Sequence, residues 1–187
     1  AYNIDKIYLD AFKQVPTPAG DRYPEVNTAI LNRINSGTLL LNWVGHGGET
    51  NWAHERIFNK PDIIGLSNID KLPLFVTATC DFSRFDIPDR TAGEWLIVNK
   101  NGGAIASITT VRLVYSSAND ALNSELFRHL FELYEGRLPT IGELLTRTKN
   151  QVATDITNSR KFVLLGDPAL TLNYPRYDVV TTNVNDV

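Results

Sequence analysis

Apolar residues along this chain follow two rhythms. Three unbroken runs, TLLLNW at 38–43, LFVTAT at 74–79 and AIASIT at 104–109, are rich in large aliphatic or β-branched residues and bounded by Gly, Pro or Asn. That is the pattern of strands buried on both faces. KIYL at 6–9 and KFVLL at 161–165 are shorter candidates, the second closed by the turn signal Gly166-Asp167-Pro168. Helical periodicity fills the intervals. Across 117–134, Ala118, Ala121, Leu122, Leu126, Leu130 and Leu133 recur on one face. Val26, Ala29, Ile30 and Ile34 mark another helix, which Gly37 would end, and Ile141, Leu144, Leu145, Thr148 and Val152 mark a third. A fourth helix begins at Thr91, where Thr91 and Glu94 form a T-x-x-E capping box just before Trp95 and Leu96. The βαβ alternation predicts an α/β fold, a mainly parallel sheet flanked by helices on both faces. Residues 15–23, with Pro16, Pro18 and Gly20, read as a loop, and the polar stretch 176–187 reads as a linker or tail, leaving 1–175 as one domain.

Composition narrows the function classes. Hydrophobic residues make up 43% and charged residues 21% of the 187 positions, near globular averages. A formal charge of -3 with no basic stripe gives no electrostatic footprint for nucleic acid. No apolar run reaches the ~20 residues that span a bilayer, and AYNIDKIY lacks the basic and apolar regions of a signal peptide. Because the chain starts at Ala1 and contains no Met, a processed piece or a fragment of a larger catalytic domain is expected. One cysteine excludes an internal disulfide and offers no Cys-rich zinc site.

In a parallel α/β sheet, ligands bind at the carboxyl ends of strands. Two such ends carry reactive residues: Trp43-Val44-Gly45-His46-Gly47-Gly48 and Ala78-Thr79-Cys80-Asp81. Neighbouring strands lie about 4.8 Å apart, so side chains from adjacent ends can meet. Cysteine proteolysis needs a thiolate, a base within reach and N–H donors for the developing oxyanion. Cys80, His46, and the backbone N–H groups of Gly47 and Cys80 fill those roles. The plainer alternatives are an inert strand-end cysteine and a phosphate-cradling glycine turn, although no G-x-G-x-x-G or Walker lysine pattern follows His46. His54 and His129 have no Cys or carboxylate at zinc spacing with His46, so neither a metal nor another cofactor is expected. His54 and His129 read as structural residues, and the charged run Asp81, Arg84, Asp86, Asp89, Arg90 as a solvated loop with local ion pairs.

The segment 41–52, LNWVGHGGETNW, together with LFVTATC at 74–80, Gly103-Ala104-Ile105-Ala106 and LGDPAL at 165–170, resembles in order and spacing the gingipain-type cysteine peptidases, peptidase family C25. The 34 residues between His46 and Cys80 suit that family. The resemblance implies a caspase-like three-layer fold, the dyad His46 and Cys80, and protein or peptide substrates. It also implies that Tyr115 is an aromatic wall of the substrate pocket, against the alternative of an ordinary packed ring. Asp10 could line the same pocket, or be a solvated carboxylate at a strand end. The acid that orients His46 in the family has no evident counterpart. IYLDAF, the stretch 22–34, DRTAGEW at 89–95 and TVRLVYSS at 110–117 resemble the family's secretion sortases. Such an enzyme would act at the cell surface or outer membrane of a Gram-negative bacterium, beside other secretion-system components. It would cleave C-terminal signals from secreted cargo and pass the acyl group to an amine of an anionic lipopolysaccharide. A gingipain-like general endopeptidase and a non-catalytic docking module are the competing readings.

Overall fold

The computed structural model describes residues 2–152, 156–175 and 180. Four strands form the central sheet: β1 (Leu40–Val44), β4 (Leu74–Ala78), β5 (Ala106–Thr110) and β6 (Phe162–Gly166), in the order β1-β4-β5-β6. β1, β4 and β5 are parallel, and β6 is antiparallel to β5. Two helices explain the reversal. The chain leaves β5 through α4 (Ser116–Leu130), returns along α5 (Ile141–Gln151) and passes through α6 (Ile156–Ser159), so it re-enters the sheet at the end where β5 stopped, pairing Phe162 with Thr110. A single helix there would have produced the uniform βαβ order expected from the alternation.

Side-chain alternation on β4 divides the core. Leu74, Val76 and Ala78 face α4 and α5, joining Leu122, Leu126, Leu130, Ile141 and Leu144. Phe75 faces the opposite layer, built from α1 (Pro24–Ser36), α2 (Lys60–Ile64), α3 (Ala92–Val98) and the aromatic residues Trp52, Phe58 and Phe82. All five residues of β4 and of β5 are buried, which accounts for their unbroken apolar appearance in the sequence. A small antiparallel ribbon, β2 (Asn51–Trp52) with β3 (Phe58–Asn59), caps the second layer beside the end of β1.

The helix signals hold with local changes. Gly37, at φ 96°, ends α1 by donating its N–H to the Ile34 carbonyl. The Thr91 N–H and hydroxyl both donate to Glu94 at the start of α3, and Asn59 with Asp62 forms a capping box on α2 that periodicity does not reveal. α4 stops at Leu130 rather than running to Tyr134, and its buried residues are Asn119, Leu122, Leu126, His129 and Leu130. Ala121 and Leu133 are exposed. The face is rotated because Asn119 and His129 have hydrogen-bond partners, which removes the penalty for burying them: the buried Ala78 carbonyl for one and the exposed Glu132 carboxylate for the other.

KIYL does not form a strand. Residues 2–8 lie outside regular structure and Leu9–Ala11 make one 3-10 turn. Ile7, Leu9 and Phe12 pack onto the α1 side of the core, while Asp5 pairs with Arg33 of α1 at 2.7 Å. Side-chain docking thus replaces a backbone ladder, and β1 remains an edge strand among the described residues. The stretch assigned to a tail lies, apart from Val180, outside the described residues. No helix among the described residues is long and apolar enough to cross a membrane.

Candidate active site

β1 and β4 pair with a register offset of 34 residues, from Leu40 with Leu74 to Val44 with Ala78. That offset equals the separation of His46 and Cys80, so both residues stand two positions beyond the last paired residues of adjacent parallel strands. One further bond, from the Gly45 N–H to the Ala78 carbonyl at 3.4 Å, extends the pairing towards them. The two strand ends then close on each other through Gly47. A Cβ at this position would lie 2.5 Å from Thr79 Oγ1 and 2.9 Å from the Asn51 carbonyl oxygen. Only glycine lets the backbone come this close to the residue preceding Cys80.

Cys80 is half-buried, and its thiol donates to the Val114 carbonyl at 3.7 Å. His46 is exposed. Its carbonyl oxygen accepts from the Ala53 N–H at 2.8 Å and from Trp43 Nε1–H at 3.2 Å, while its imidazole lies against that of His54, ring centroids 5.3 Å apart. The thiol and imidazole are therefore at neighbouring strand ends without a hydrogen bond between them. The backbone N–H groups of Gly47 and Cys80 donate to no other group among the described residues.

The loops after β4 and β5 frame the thiol. Asp81 adopts φ 53°, turning the chain sharply after Cys80, a conformation that aspartate tolerates better than most residues. Its N–H donates to the Arg112 carbonyl at 3.4 Å, the Ser83 N–H to Thr110 at 2.9 Å, and the Thr110 hydroxyl to the Thr79 carbonyl. Within the charged run Arg84 lies on Asp86 at 3.6 Å, and the run's other ion pairs reach outside it, from Arg84 to Glu49 at 3.2 Å and from Arg112 to Asp86 at 2.6 Å. The Arg112 guanidinium, hydrogen-bonded to Asp86, holds that carboxyl below its usual range. Through Glu49 these pairs also fasten the histidine loop to the loop after Cys80.

Tyr115 is 68% exposed and directly follows Val114, the residue that receives the Cys80 thiol. Lys161 Nζ lies 5.0 Å from its ring centroid. Asp10 lies in the exposed 3-10 turn whose Leu9, with Phe12 just after it, packs on the α1 side. No carboxylate among the described residues hydrogen-bonds to the His46 imidazole, and no group of three or more His, Cys, Asp or Glu side chains there is arranged to hold a metal.

Two buried asparagines were invisible as site residues. The Tyr115 N–H donates to Asn158 Oδ1 at 3.1 Å, Asn158 Nδ2 donates to Asn119 Oδ1 at 3.2 Å, and Asn119 Nδ2 donates to the Ala78 carbonyl at 3.5 Å. The ends of this relay dictate both amide orientations, since a backbone N–H can only donate and a carbonyl can only accept. It ties the end of β4, two residues before Cys80, to the segment that receives the thiol. Asn119 carries one sequence signal, a polar residue one position from the apolar stripe; Asn158 carries none.

A mainly parallel sheet between two helical layers, with a cysteine and a histidine at adjacent strand carboxyl ends, defines a three-layer α/β fold with its reactive side chains at the strand ends. The sequence profile of peptidase family C25 matches residues 1–173, and the chain belongs to that family of gingipain-like cysteine peptidases. Among curated proteins, Lys-gingipain of Porphyromonas gingivalis is 30% identical over 107 residues, and a second form, Lys-gingipain HG66, is 29% identical over the same length. These alignments cover 57% of this chain and 6% of the relatives. The fold resembles the crystal structure of the Arg-specific cysteine proteinase gingipain R (TM-score 0.69, 22% identity, 78% of this chain and 36% of that one). It matches equally the complex of P. gingivalis RgpB pro- and mature domains, at TM-score 0.69 and 22% identity, covering 78% of this chain and 37% of the other. The chain thus spans only a small part of its curated relatives and little more than a third of the solved ones.

Proposed function

We propose that this chain carries the nucleophile and base of a cysteine peptidase, Cys80 and His46, with the N–H groups of Gly47 and Cys80 as oxyanion donors. The observation that carries the reading is the 34-residue register of β1 on β4, which sets the two residues at adjacent strand ends, where the Gly47 and Cys80 N–H groups have no other acceptor among the described residues. In the reaction His46 takes the thiol proton and the thiolate attacks the scissile carbonyl carbon. The tetrahedral oxyanion accepts from the two N–H groups. Collapse breaks the C–N bond, His46 returns the proton to the leaving amine, and a thioester remains on Cys80. To begin this sequence the thiol must leave the Val114 carbonyl, to which it donates at 3.7 Å.

Within this reading the chain acts as a surface sortase resembling PorU of the type IX secretion system. Its support is the set of segments at 7–12, 22–34, 89–95 and 110–117, which resemble that enzyme outside the dyad. The thioester would then be resolved by an amine of an anionic lipopolysaccharide, forming an amide and releasing the thiol, at the outer face of a Gram-negative outer membrane among other secretion-system components. Tyr115, exposed beside Val114, would wall the pocket for the cargo peptide. A gingipain-like endopeptidase, resolving the same thioester with water, is the second reading, favoured by the 30% identity to Lys-gingipain.

Two measurements decide. In the full-length protein, Cys80→Ala should abolish peptide cleavage and His46→Ala should reduce it by about 10²–10⁴-fold; wild-type cleavage in either variant sinks the dyad. Mass spectrometry of cargo incubated with enzyme and lipopolysaccharide should show a cargo-acceptor amide, and hydrolysed cargo alone would leave only the endopeptidase.

A further inference from the structure

We propose that His54 is a positioning residue for His46, fixing the plane of its imidazole by ring contact. The proposal rests on reading His46 as the general base. An exposed histidine explores several rotamers, and a base is effective only when its nitrogen is held on the line of proton transfer. In triad enzymes a carboxylate bonded to the second ring nitrogen supplies that restraint. Among the described residues His46 has no such partner, and the ring of His54, with centroids 5.3 Å apart and planes inclined by 40°, is what its imidazole meets. This separation lies in the range where planar rings attract.

The backbone is built to deliver His54 to that position. His54 sits in the turn between β2 and β3, whose flanking residues Trp52, Ile57 and Phe58 are each 1% exposed or less. Ala53 takes φ 58° and Arg56 φ 55°, left-handed conformations that side chains with a Cβ resist. Strain of this kind persists where surrounding structure over-determines it, and it gathers at functional sites. The restraints here are specific. The Ala53 N–H donates to the His46 carbonyl at 2.8 Å, the Arg56 N–H to Ala53 at 3.3 Å, and the Ile57 N–H to Trp52 at 3.1 Å. The residue before His54 is thereby hydrogen-bonded to His46 itself, so the two imidazoles project from one hydrogen-bonded stretch of backbone. His54 is exposed and contributes nothing to the core beneath, which separates this role from a structural one.

The experiment uses the full-length protein and a fluorogenic peptide amide selected by wild-type cleavage from a positional library. His54→Ala should lower kcat about tenfold while KM stays within about twofold, because orientation of the base is lost and substrate binding is not. The melting temperature should stay at the wild-type value. His54→Phe should restore most of kcat, since it keeps a ring of similar breadth against His46. An unchanged kcat in His54→Ala, a rise in KM alone, or a His54→Phe variant as poor as His54→Ala would each overturn the proposal. The last of these would assign the effect to the imidazole's proton. His46→Ala is the control: if it retains full activity, the base assignment itself fails, whereas an inactive His46→Ala beside an unaffected His54→Ala refutes the positioning role alone.

Discussion

An added Cβ at Gly47 would lie 2.5 Å from Thr79 Oγ1 and 2.9 Å from the Asn51 carbonyl oxygen, whereas one at Gly48 would meet nothing within 4 Å. These adjacent glycines are therefore expected to respond oppositely to alanine. Gly47→Ala must push the histidine loop off the end of β4, and should cost about 1–3 kcal/mol by urea unfolding along with most peptide cleavage. Gly48→Ala should unfold within about 0.5 kcal/mol of wild type; equal losses at the two positions would refute the close-approach account. The glycine-rich loop was plain in the sequence. Which of its glycines is constrained was not, because the constraint comes from Thr79, 32 positions further along the chain.

At the scale of elements, α5 shows how local chemistry makes a helix legible. The Thr140 hydroxyl accepts from the Glu143 N–H, Glu143 accepts in return from the Thr140 N–H, and Arg137 grips the same carboxylate at 2.6 Å. Removing the cap with Thr140→Ala should cost about 1 kcal/mol, read as a shift in urea midpoint. Arg137, with the Thr140 backbone adding to it, lowers the Glu143 pKa from 4.5 to about 2. A carboxylate whose folded pKa is depressed contributes stability that is fully present above its unfolded pKa and lost as pH falls through the folded one. The stability difference between wild type and Glu143→Gln should accordingly be present at pH 6, shrink below about 4.5 and vanish near 2; a gap constant across this window would remove the linkage. Remote segments also cap α5, since the Ile141 and Gly142 N–H groups donate to Leu170 and Pro168. That contact gives the LGDPAL segment a structural task which its motif alone does not disclose.

Across the whole molecule, β4 and β5 separate two cores and the asparagine relay joins the layers on one side. Leu126 is fully buried against the sheet, and Leu126→Ala should cost about 2–5 kcal/mol. Asn119→Leu removes the side-chain donor to the Ala78 carbonyl and the acceptor for Asn158. Leaving buried polar groups without these partners should cost about 1–3 kcal/mol, lowering the melting temperature by about 2–4 °C per kcal/mol. If calorimetry finds Asn119→Leu as stable as wild type, the relay is not a structural tie.

Periodicity by itself determined the strands at 38–43, 74–79, 104–109 and 161–165 to within a few residues, the three long helices α1, α4 and α5, and the layered α/β class, because burial on both faces or on one stripe is written locally in residue type, while a capping box marked α3. The ordered motifs around two strand ends also marked His46 and Cys80. Tertiary structure decided what depends on distant partners. β6 runs antiparallel because the chain goes out along α4 and comes back along α5 before α6 leads into it, KIYL docks by side chains instead of joining β1, and Asn119 and Asn158 are buried because each finds the other. The same holds for His54, an exposed histidine in the sequence and a neighbour of the proposed base in the fold, since only the β2–β3 turn brings it there.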